Sequence, residues 1–224
     1  MRLGLFREKI FIMGNVTDSN YYYKETKKFQ TKRDVLCKEM NTPLHNFLYI
    51  SRFSPEKNLF FLLKCFRDVQ QSGEVNGRGL ILIGNSPQKK EIERYIRNNN
   101  IENIFLPGFK QREEIPKYLA ISDVFILPSI SEPWGLVVNE AMVAGLPVLV
   151  SRKCGCYPDL VREGVNGFSF DPCKINELSD LIKQIAHGRF NLSAMGKESL
   201  KIIRRYSPKR ATETILNTIK FVIK

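Results

Sequence analysis

The sequence predicts an α/β domain built on a parallel, doubly wound sheet with helices on both faces. From residue 46 to residue 151, short apolar runs alternate with segments whose apolar residues recur at helical spacing. The runs contain few polar residues, which is typical of strands that are covered on both faces. Strands joined by helical crossovers form parallel sheets, and ligands bind such sheets at the carboxyl ends of the strands.

The predicted elements alternate along the chain. A strand at 46–51, a helix at 57–69 and a strand at 79–83 come first. Ser86 is predicted to cap the next helix, which runs to about residue 98, with Pro87 in the first helical position, where no N–H is required. A strand, a helix, a strand, a helix and a strand follow at 103–106, 113–120, 123–127, 137–144 and 147–151.

The pattern loosens after residue 151. A short strand is predicted at 167–170, followed by helices at 174–187, at about 192–205 and from Ser207 to the end. Ser207 and Pro208 form a typical helix start. The last helix has an apolar stripe, for which packing on the same domain is the simplest explanation; it consists of Ala211, Ile215, Ile219 and Val222.

Composition agrees with one packed domain in a reducing compartment. The chain has 224 residues, of which 43% are hydrophobic, enough for a single core. It contains no run of about 18 apolar residues, and its first ten residues lack the apolar core of a secretory signal. The five cysteines are an odd number without C-x-x-C spacing, and Cys154 and Cys156 are too close together for a zinc ribbon. We therefore expect reduced thiols and a cytoplasmic protein.

The formal net charge of +12 could favour binding to nucleic acid, to an anionic membrane surface or to an acidic substrate. No helix-turn-helix, RNP or zinc-finger pattern accompanies the charge, so we predict no nucleic-acid partner. A solvated surface is the commonest explanation for such charge. If the charge serves binding, peripheral contact with anionic lipid is the favoured hypothesis.

The most informative stretch is EPWGLVVNE at residues 132–140. It places Glu132 in the loop at the carboxyl end of a predicted strand and Glu140 about a turn and a half into the next helix. Gly135 allows close backbone approach, and the N–H groups of Leu136 and Val137 open the helix, where phosphate binds readily. Each carboxylate alone has an ordinary explanation, a helix cap for Glu132 and a solvated surface residue for Glu140. Together they could accept hydrogen bonds from sugar hydroxyls, which predicts a nucleotide-sugar site.

This stretch, with AMVAGLPV at 141–148, resembles the signature of retaining GT-B glycosyltransferases, the family 4-like enzymes known as glycosyl transferases group 1. Four more segments resemble motifs of the same family in the same order, namely ISRFSPEKN at 50–58, ILIGNS at 81–86, LPGF at 106–109 and DLVREGVNGF at 159–168. The resemblance covers roughly residues 9–220. It implies a Rossmann-like domain that forms the C-terminal half of a GT-B fold.

The resemblance also implies roles for individual residues. Arg52 and Lys57 match the basic pair that holds the donor diphosphate, although a loop salt bridge and a surface lysine remain ordinary alternatives. Glu140 matches the carboxylate that binds the ribose hydroxyls, and Glu132 matches the catalytic carboxylate beside the transferred sugar. The remaining donor-binding positions are matched mainly through their backbone, and they are Gly84, Phe109, Lys110, Gly135, Leu136 and Val137.

Only one half of the GT-B fold is recognisable. KIFIMGNVTD at 9–18 resembles the link that leaves the first domain, and the glycine-rich loop expected upstream is missing. We predict that residues 1–45 are a remnant of that link and its lead-in, and that residues 46–206 form the nucleotide-sugar-binding domain. Residues 207–224 would form a helix that crosses back to the absent N-terminal acceptor domain. A fragment, a truncated gene and one partner of a split enzyme remain open, and the chain alone should be nearly inactive.

The resulting hypothesis is a donor-binding domain of a hexosyltransferase. The whole enzyme would transfer sugar from a UDP-, GDP- or ADP-sugar, with retention, to a glycan or lipid-linked acceptor in bacterial-type surface polysaccharide synthesis. No metal or other cofactor is implied, because Arg52, Lys57 and the helix N-terminus take the place of a divalent cation. Two alternatives stay open, a nucleotide-sugar epimerase of the same fold and a non-catalytic partner domain.

Overall fold

The computed structural model describes residues 9–75 and 77–223, which contain a single six-stranded sheet. Its strands are β1 Asn46–Ile50, β2 Gly79–Ile83, β3 Ile104–Gly108, β4 Val124–Leu127, β5 Val148–Ser151 and β6 Gly167–Phe170. They lie in the order β3-β2-β1-β4-β5-β6, and every neighbouring pair is parallel. The order reverses between β1 and β4, which is the topology of a doubly wound Rossmann-like sheet. The predicted fold class is confirmed.

Helices cover both faces of this sheet. They are α1 Ser19–Gln30, α2 Arg33–Glu39, α3 Leu59–Gln71, α4 Lys89–Asn98, α5 Ile115–Ala120, α6 Leu136–Val143, α7 Tyr157–Leu160, α8 Ile175–Ala186, α9 Leu192–Ile203 and α10 Pro208–Val222. Helices α1, α2, α5 and α6 contribute to a hydrophobic core on one face, and α3, α4 and α8 to a core on the other. Strands β1, β2, β4 and β5 are buried along their whole length, which explains their continuous apolar sequences.

Helix α4 begins later than the sequence predicts. Pro87 does not take the first helical position, because the chain makes a turn at residues 87–88 and the helix starts at Lys89. The Ser86 hydroxyl accepts a hydrogen bond from the Gln88 N–H at 3.0 Å and donates one to the Phe53 carbonyl. The serine therefore closes the turn before the helix and ties it to the loop after β1.

Three helices, α1, α2 and α7, were not among the predicted elements. Helix α1 has the sequence SNYYYKETKKFQ, which is too polar to show a clear apolar stripe, yet its Tyr22 is buried in the core. Leu36 and Cys37 of α2 join the same core. The lead-in segment is therefore packed onto the sheet. Its first eight residues lie outside the described part of the chain, as does Lys224 of the predicted crossing helix.

Helix α10 contributes no buried residue to the core within the described part of the chain. No residue described in α10 is buried, and the predicted stripe residues Ile215, Ile219 and Val222 are exposed. Phe11 from the start of the chain contacts Phe221, with ring centroids 5.4 Å apart. Packing on this domain therefore does not explain the stripe. None of the helices in the described residues is long and apolar enough to span a membrane.

Candidate functional site

The carboxyl ends of β1 and β4 meet at the point where the strand order reverses, which is where ligands bind in doubly wound sheets. The loops after these strands are joined by a hydrogen bond from the Ile130 N–H to the Glu56 carbonyl at 2.9 Å. Between them, Lys57 Nζ lies 2.5 Å from Glu132 Oε2. The two side chains are only 9% and 15% exposed. Each charge therefore depends on the other, because an unpaired buried charge is costly.

The loop that carries Glu132 is shaped by two glycines. Gly135 has a φ of +97°, and a Cβ there would lie 2.9 Å from Leu127 Cδ2. Gly155 comes from the segment after β5, and a Cβ there would lie 1.9 Å from the Pro133 carbonyl oxygen. The Gly155 N–H donates to the Glu132 carbonyl at 2.8 Å. The segment around Gly155 thus braces the Glu132 loop, a role that the sequence analysis did not identify.

Helix α6 begins directly after Gly135, so Leu136 and Val137 occupy its first turn. Backbone N–H groups in the first turn of a helix have no acceptor within the helix, and they lie at the positive end of its dipole. The first turn of α6 therefore presents donors beside Glu132. This arrangement can bind an anion or a polar group held between the loop and the helix.

Glu140 lies in α6 on the side that faces α1 and the loop after β3. Burial raises its pKa to about 6, while the nearby Tyr22 side chain and the charge of Arg112 act in the opposite direction. Burial and the charge of Glu140 likewise raise the pKa of Tyr22. Glu140 is half-buried, and Tyr22 and Arg112 are the side chains that favour its ionised form.

Arg112 ties the start of α1 to the loop after β3. Its Nη2 lies 2.6 Å from Asp18 Oδ2, and its guanidinium lies 4.5 Å from the centre of the Tyr21 ring. Asp18 in turn caps α1 by accepting from the Tyr21 N–H at 3.1 Å. Neither Arg112 nor Tyr22 is among the site residues predicted from the sequence. The run of three tyrosines at 21–23 is the only sequence signal near them, and it lies far from Glu140 along the chain.

Asn139 connects the first part of the chain to the Glu132 loop. It is fully buried, its Oδ1 accepts from Trp134 Nε1 at 2.9 Å, and its Nδ2 donates to the Asn15 carbonyl at 2.9 Å. Trp134 also contacts Tyr206, with ring centroids 6.0 Å apart. The segments that precede α1 and α10 therefore contact the two members of the Trp134–Asn139 hydrogen bond, next to the site.

Other predicted site residues lie at the same end of the sheet but outside this cluster. Arg52 is 79% exposed, and its Nη2 is 3.9 Å from Glu56 Oε1. Gly84 has a φ of +155°, and a Cβ there would lie 1.9 Å from the Ser51 carbonyl oxygen, so close backbone packing explains this glycine. Phe109 is exposed, and Lys110 Nζ lies 3.3 Å from Glu114 Oε1.

The structure thus brings Lys57, Glu132 and Gly135 together and places Glu140 further along the same helix. Within residues 9–75 and 77–223, no three His, Cys, Asp or Glu side chains form a group that could hold a metal ion. Cys154 and Cys156 are buried, and burial raises the pKa of both thiols.

Comparisons with known proteins agree on one family. Residues 38–206 match the family model described as "Glycosyl transferases group 1". The sulfoquinovosyl transferase SQD2 of Arabidopsis thaliana is 32% identical over 173 residues, which cover 76% of this chain and 32% of that protein. The alpha-monoglucosyldiacylglycerol synthase of Acholeplasma laidlawii is 31% identical over 150 residues, covering 66% of this chain and 36% of that protein. The chain spans about a third of the length of these relatives.

The fold has a close counterpart among solved structures. The structure of Anabaena HepE in complex with UDP matches with a TM-score of 0.76 at 22% identity, over 93% of this chain and 56% of that one. At this level of identity the match supports a shared fold.

Proposed function

The chain belongs to the glycosyl transferases group 1 family, with the Rossmann-like C-terminal domain of a GT-B fold, and from that premise we propose that it binds the sugar donor of a retaining hexosyltransferase. The donor is a nucleotide-diphosphate sugar. The observation that carries the proposal is the buried Lys57–Glu132 ion pair beside the first turn of α6, at the reversal point of the sheet.

The ion pair suits the junction between diphosphate and sugar. Lys57 neutralises Glu132, with Nζ 2.5 Å from Oε2. A bound donor would place its diphosphate against Lys57 and the first turn of α6, and a sugar hydroxyl against Glu132. The leaving nucleoside diphosphate gains negative charge in the transition state, which these preorganised donors stabilise. Glu132 stabilises the positive charge that develops at the anomeric carbon.

Arg52 supplies a second cation without a fixed position. Its only ion-pair partner within the described residues is Glu56, at 3.9 Å and in an exposed setting. Such a pair is worth little, so the side chain can turn towards a diphosphate at small cost. In this proposal Arg52, Lys57 and the N-terminus of α6 supply the positive charge that a divalent cation would otherwise bring, and transfer needs no metal.

The other end of the donor lies along α6 and the strand ends. Glu140 accepts hydrogen bonds from the two ribose hydroxyls, which a carboxylate can do with both oxygens. The backbone at Phe109 and Lys110 contacts the base, which is the uracil, guanine or adenine of UDP, GDP or ADP. Gly84 lies near the diphosphate. The UDP in the HepE structure supports a uridine donor.

The acceptor would come from a separate N-terminal domain. The exposed apolar face of α10 and the one-third coverage of the relatives support this arrangement. We expect the chain alone to transfer sugar slowly or not at all, because domain closure positions the reactants and excludes water.

The acceptor is a lipid-linked molecule or a glycan in surface polysaccharide synthesis. The name of the Acholeplasma relative includes diacylglycerol, which supports the lipid-linked acceptor. Peripheral contact with anionic lipid at the cytoplasmic face fits the net charge of +12.

The test is calorimetric titration of UDP, GDP and ADP into the chain and into two variants. We expect Arg52→Ala and Glu140→Ala each to weaken binding by about tenfold to a hundredfold, because each removes charge-assisted hydrogen bonds. Lys64→Ala is the matched control, since Lys64 is an exposed cation on α3 away from the loop ends. Unchanged binding in both site variants would refute the assignment.

A further inference from the structure

We propose that Asn58 is a positioning residue of the donor site, whose side-chain amide joins three loops and so holds Lys57 opposite Glu132. The inference rests on the proposed function, because Lys57 and Glu132 are the groups that would bind the diphosphate and the sugar. Asn58 is not among the site residues predicted from the sequence, although it directly follows Lys57 in the ISRFSPEKN segment.

Asn58 occupies a backbone position that few residue types adopt. It lies between a short 3₁₀-helix, Pro55–Lys57, and helix α3, with a φ of +57° and a ψ of +38°. Glycine and asparagine tolerate this left-handed region better than other residues do. The chain can therefore turn directly after Lys57, and the next residue, Leu59, begins α3 and is buried in the core.

The side chain of Asn58 bonds to two other loops. As the residue before α3 it could cap that helix, yet within the described part of the chain its side chain makes no capping hydrogen bond. Instead, its Nδ2 donates to the Pro128 carbonyl at 3.3 Å and to the Pro172 carbonyl at 2.9 Å. Both partners are acceptors, so the amide nitrogen, with its two N–H groups, is the atom that must face them.

Lys57 is flanked by two contacts to the loop after β4, which carries its ionic partner. The residue before it, Glu56, accepts at its carbonyl from the Ile130 N–H at 2.9 Å. The residue after it, Asn58, donates to the Pro128 carbonyl. A backbone movement that takes the lysine away from its partner would break these contacts. The second bond of Asn58 extends the same brace to the loop after β6, which leads into α8.

The brace matters because the lysine is the fixed cation of the site. A lysine side chain is long and flexible, so ordering it during binding would lower the affinity. The Lys57 side chain is only 9% exposed and already paired, whereas Arg52 is 79% exposed. Held in this position, Lys57 can meet a diphosphate with little further ordering, as a site supported by its surroundings requires.

The experiment compares Asn58→Gly with the wild-type chain by calorimetric titration of UDP. Glycine accepts the positive φ and removes the amide, so the backbone is not strained. We expect binding to weaken by about threefold to tenfold, the size of one lost hydrogen bond. Asn103→Gly is the matched control, because Asn103 also has a positive φ, of +55°, and it precedes β3 at the opposite end of the sheet. Asn58→Asp serves if Asn58→Gly does not fold, since an ionised carboxylate has no N–H to donate and should weaken binding as well.

A second measurement needs no nucleotide. The coupling free energy between Lys57 and Glu132 is obtained from chemical denaturation of the wild-type chain, Lys57→Met, Glu132→Gln and the double variant. We expect this coupling to be smaller when all four proteins also carry Asn58→Gly, and unchanged when they carry Asn103→Gly. A hydrogen bond that only stabilises the fold would lower the four stabilities equally and leave the coupling unchanged.

The outcomes separate the two proposals. A wild-type chain that binds UDP, with either an unchanged affinity or an unchanged coupling in the Asn58→Gly background, overturns the inference and leaves the proposed function intact. A wild-type chain that binds no nucleotide overturns the proposed function, and with it the role of Asn58 in the donor site.

Discussion

The two carboxylates of the EPWGLVVNE stretch occupy different electrostatic environments. Glu132 has a buried cation as its partner, with Lys57 Nζ at 2.5 Å. Glu140 has no ion-pair partner within the described residues, and burial raises its pKa to about 6, with Tyr22 and the charge of Arg112 acting in the opposite direction. One motif thus contains a carboxylate held by an ion pair and another whose ionisation is disfavoured by burial. Isosteric substitutions at the two positions should therefore have opposite effects on stability.

The largest effect is expected for Glu132→Gln. This change leaves Lys57 buried without a counter-charge, and it should lower the free energy of unfolding by about 3 kcal/mol. Chemical denaturation at neutral pH measures the loss. The double variant Lys57→Met/Glu132→Gln removes both charges and should recover most of it. A loss below about 1 kcal/mol in the single variant would show that the pair is effectively solvated.

An intermediate effect is expected for Asn139→Ala, which tests how firmly the Glu132 end of the motif is held. The substitution leaves the partly buried Trp134 Nε1 and the Asn15 carbonyl without these partners and should cost about 1–3 kcal/mol. Trp134 is the only tryptophan in the chain, so a change in its fluorescence reports the same event. A variant with normal stability and normal fluorescence would mean that this connection does not hold the loop.

The smallest effect, of opposite sign, is expected for Glu140→Gln. The pKa of Glu140 is raised from 4.5 to about 6, so between these values the folded state binds more protons than the unfolded state. The free energy of unfolding contributed by this group therefore falls as the pH rises through this range. Glu140→Gln should then stabilise the chain by about 1 kcal/mol at neutral pH and by much less at low pH. Thermal unfolding of both proteins across this range measures the difference, and a stability gain independent of pH would contradict the assignment.

Much of the fold follows from local sequence patterns. Apolar runs such as GLILI and VFIL are strands because their side chains can be buried on both faces of a sheet. Helix α1 was not predicted because only Tyr22 and Thr26 of its residues are buried, which leaves no clear period in a polar sequence. The predicted start of α4 at Pro87 was wrong, and the helix begins at Lys89. The Ser86 hydroxyl donates a hydrogen bond to the Phe53 carbonyl, a contact that local spacing does not reveal.

The features of the site also fall into two groups, those that follow from local sequence and those that depend on tertiary contacts. The sequence by itself determined that Glu132 precedes a helix, that Glu140 lies within it, and that both sit at the carboxyl end of a parallel sheet. Only the tertiary structure decided that Lys57, 75 residues away, neutralises Glu132, and that Glu140 is buried enough for its pKa to be raised. The physical reason is that the ionisation of a carboxylate depends on burial and on the groups within a few ångströms, and packing brings these groups together from distant parts of the chain.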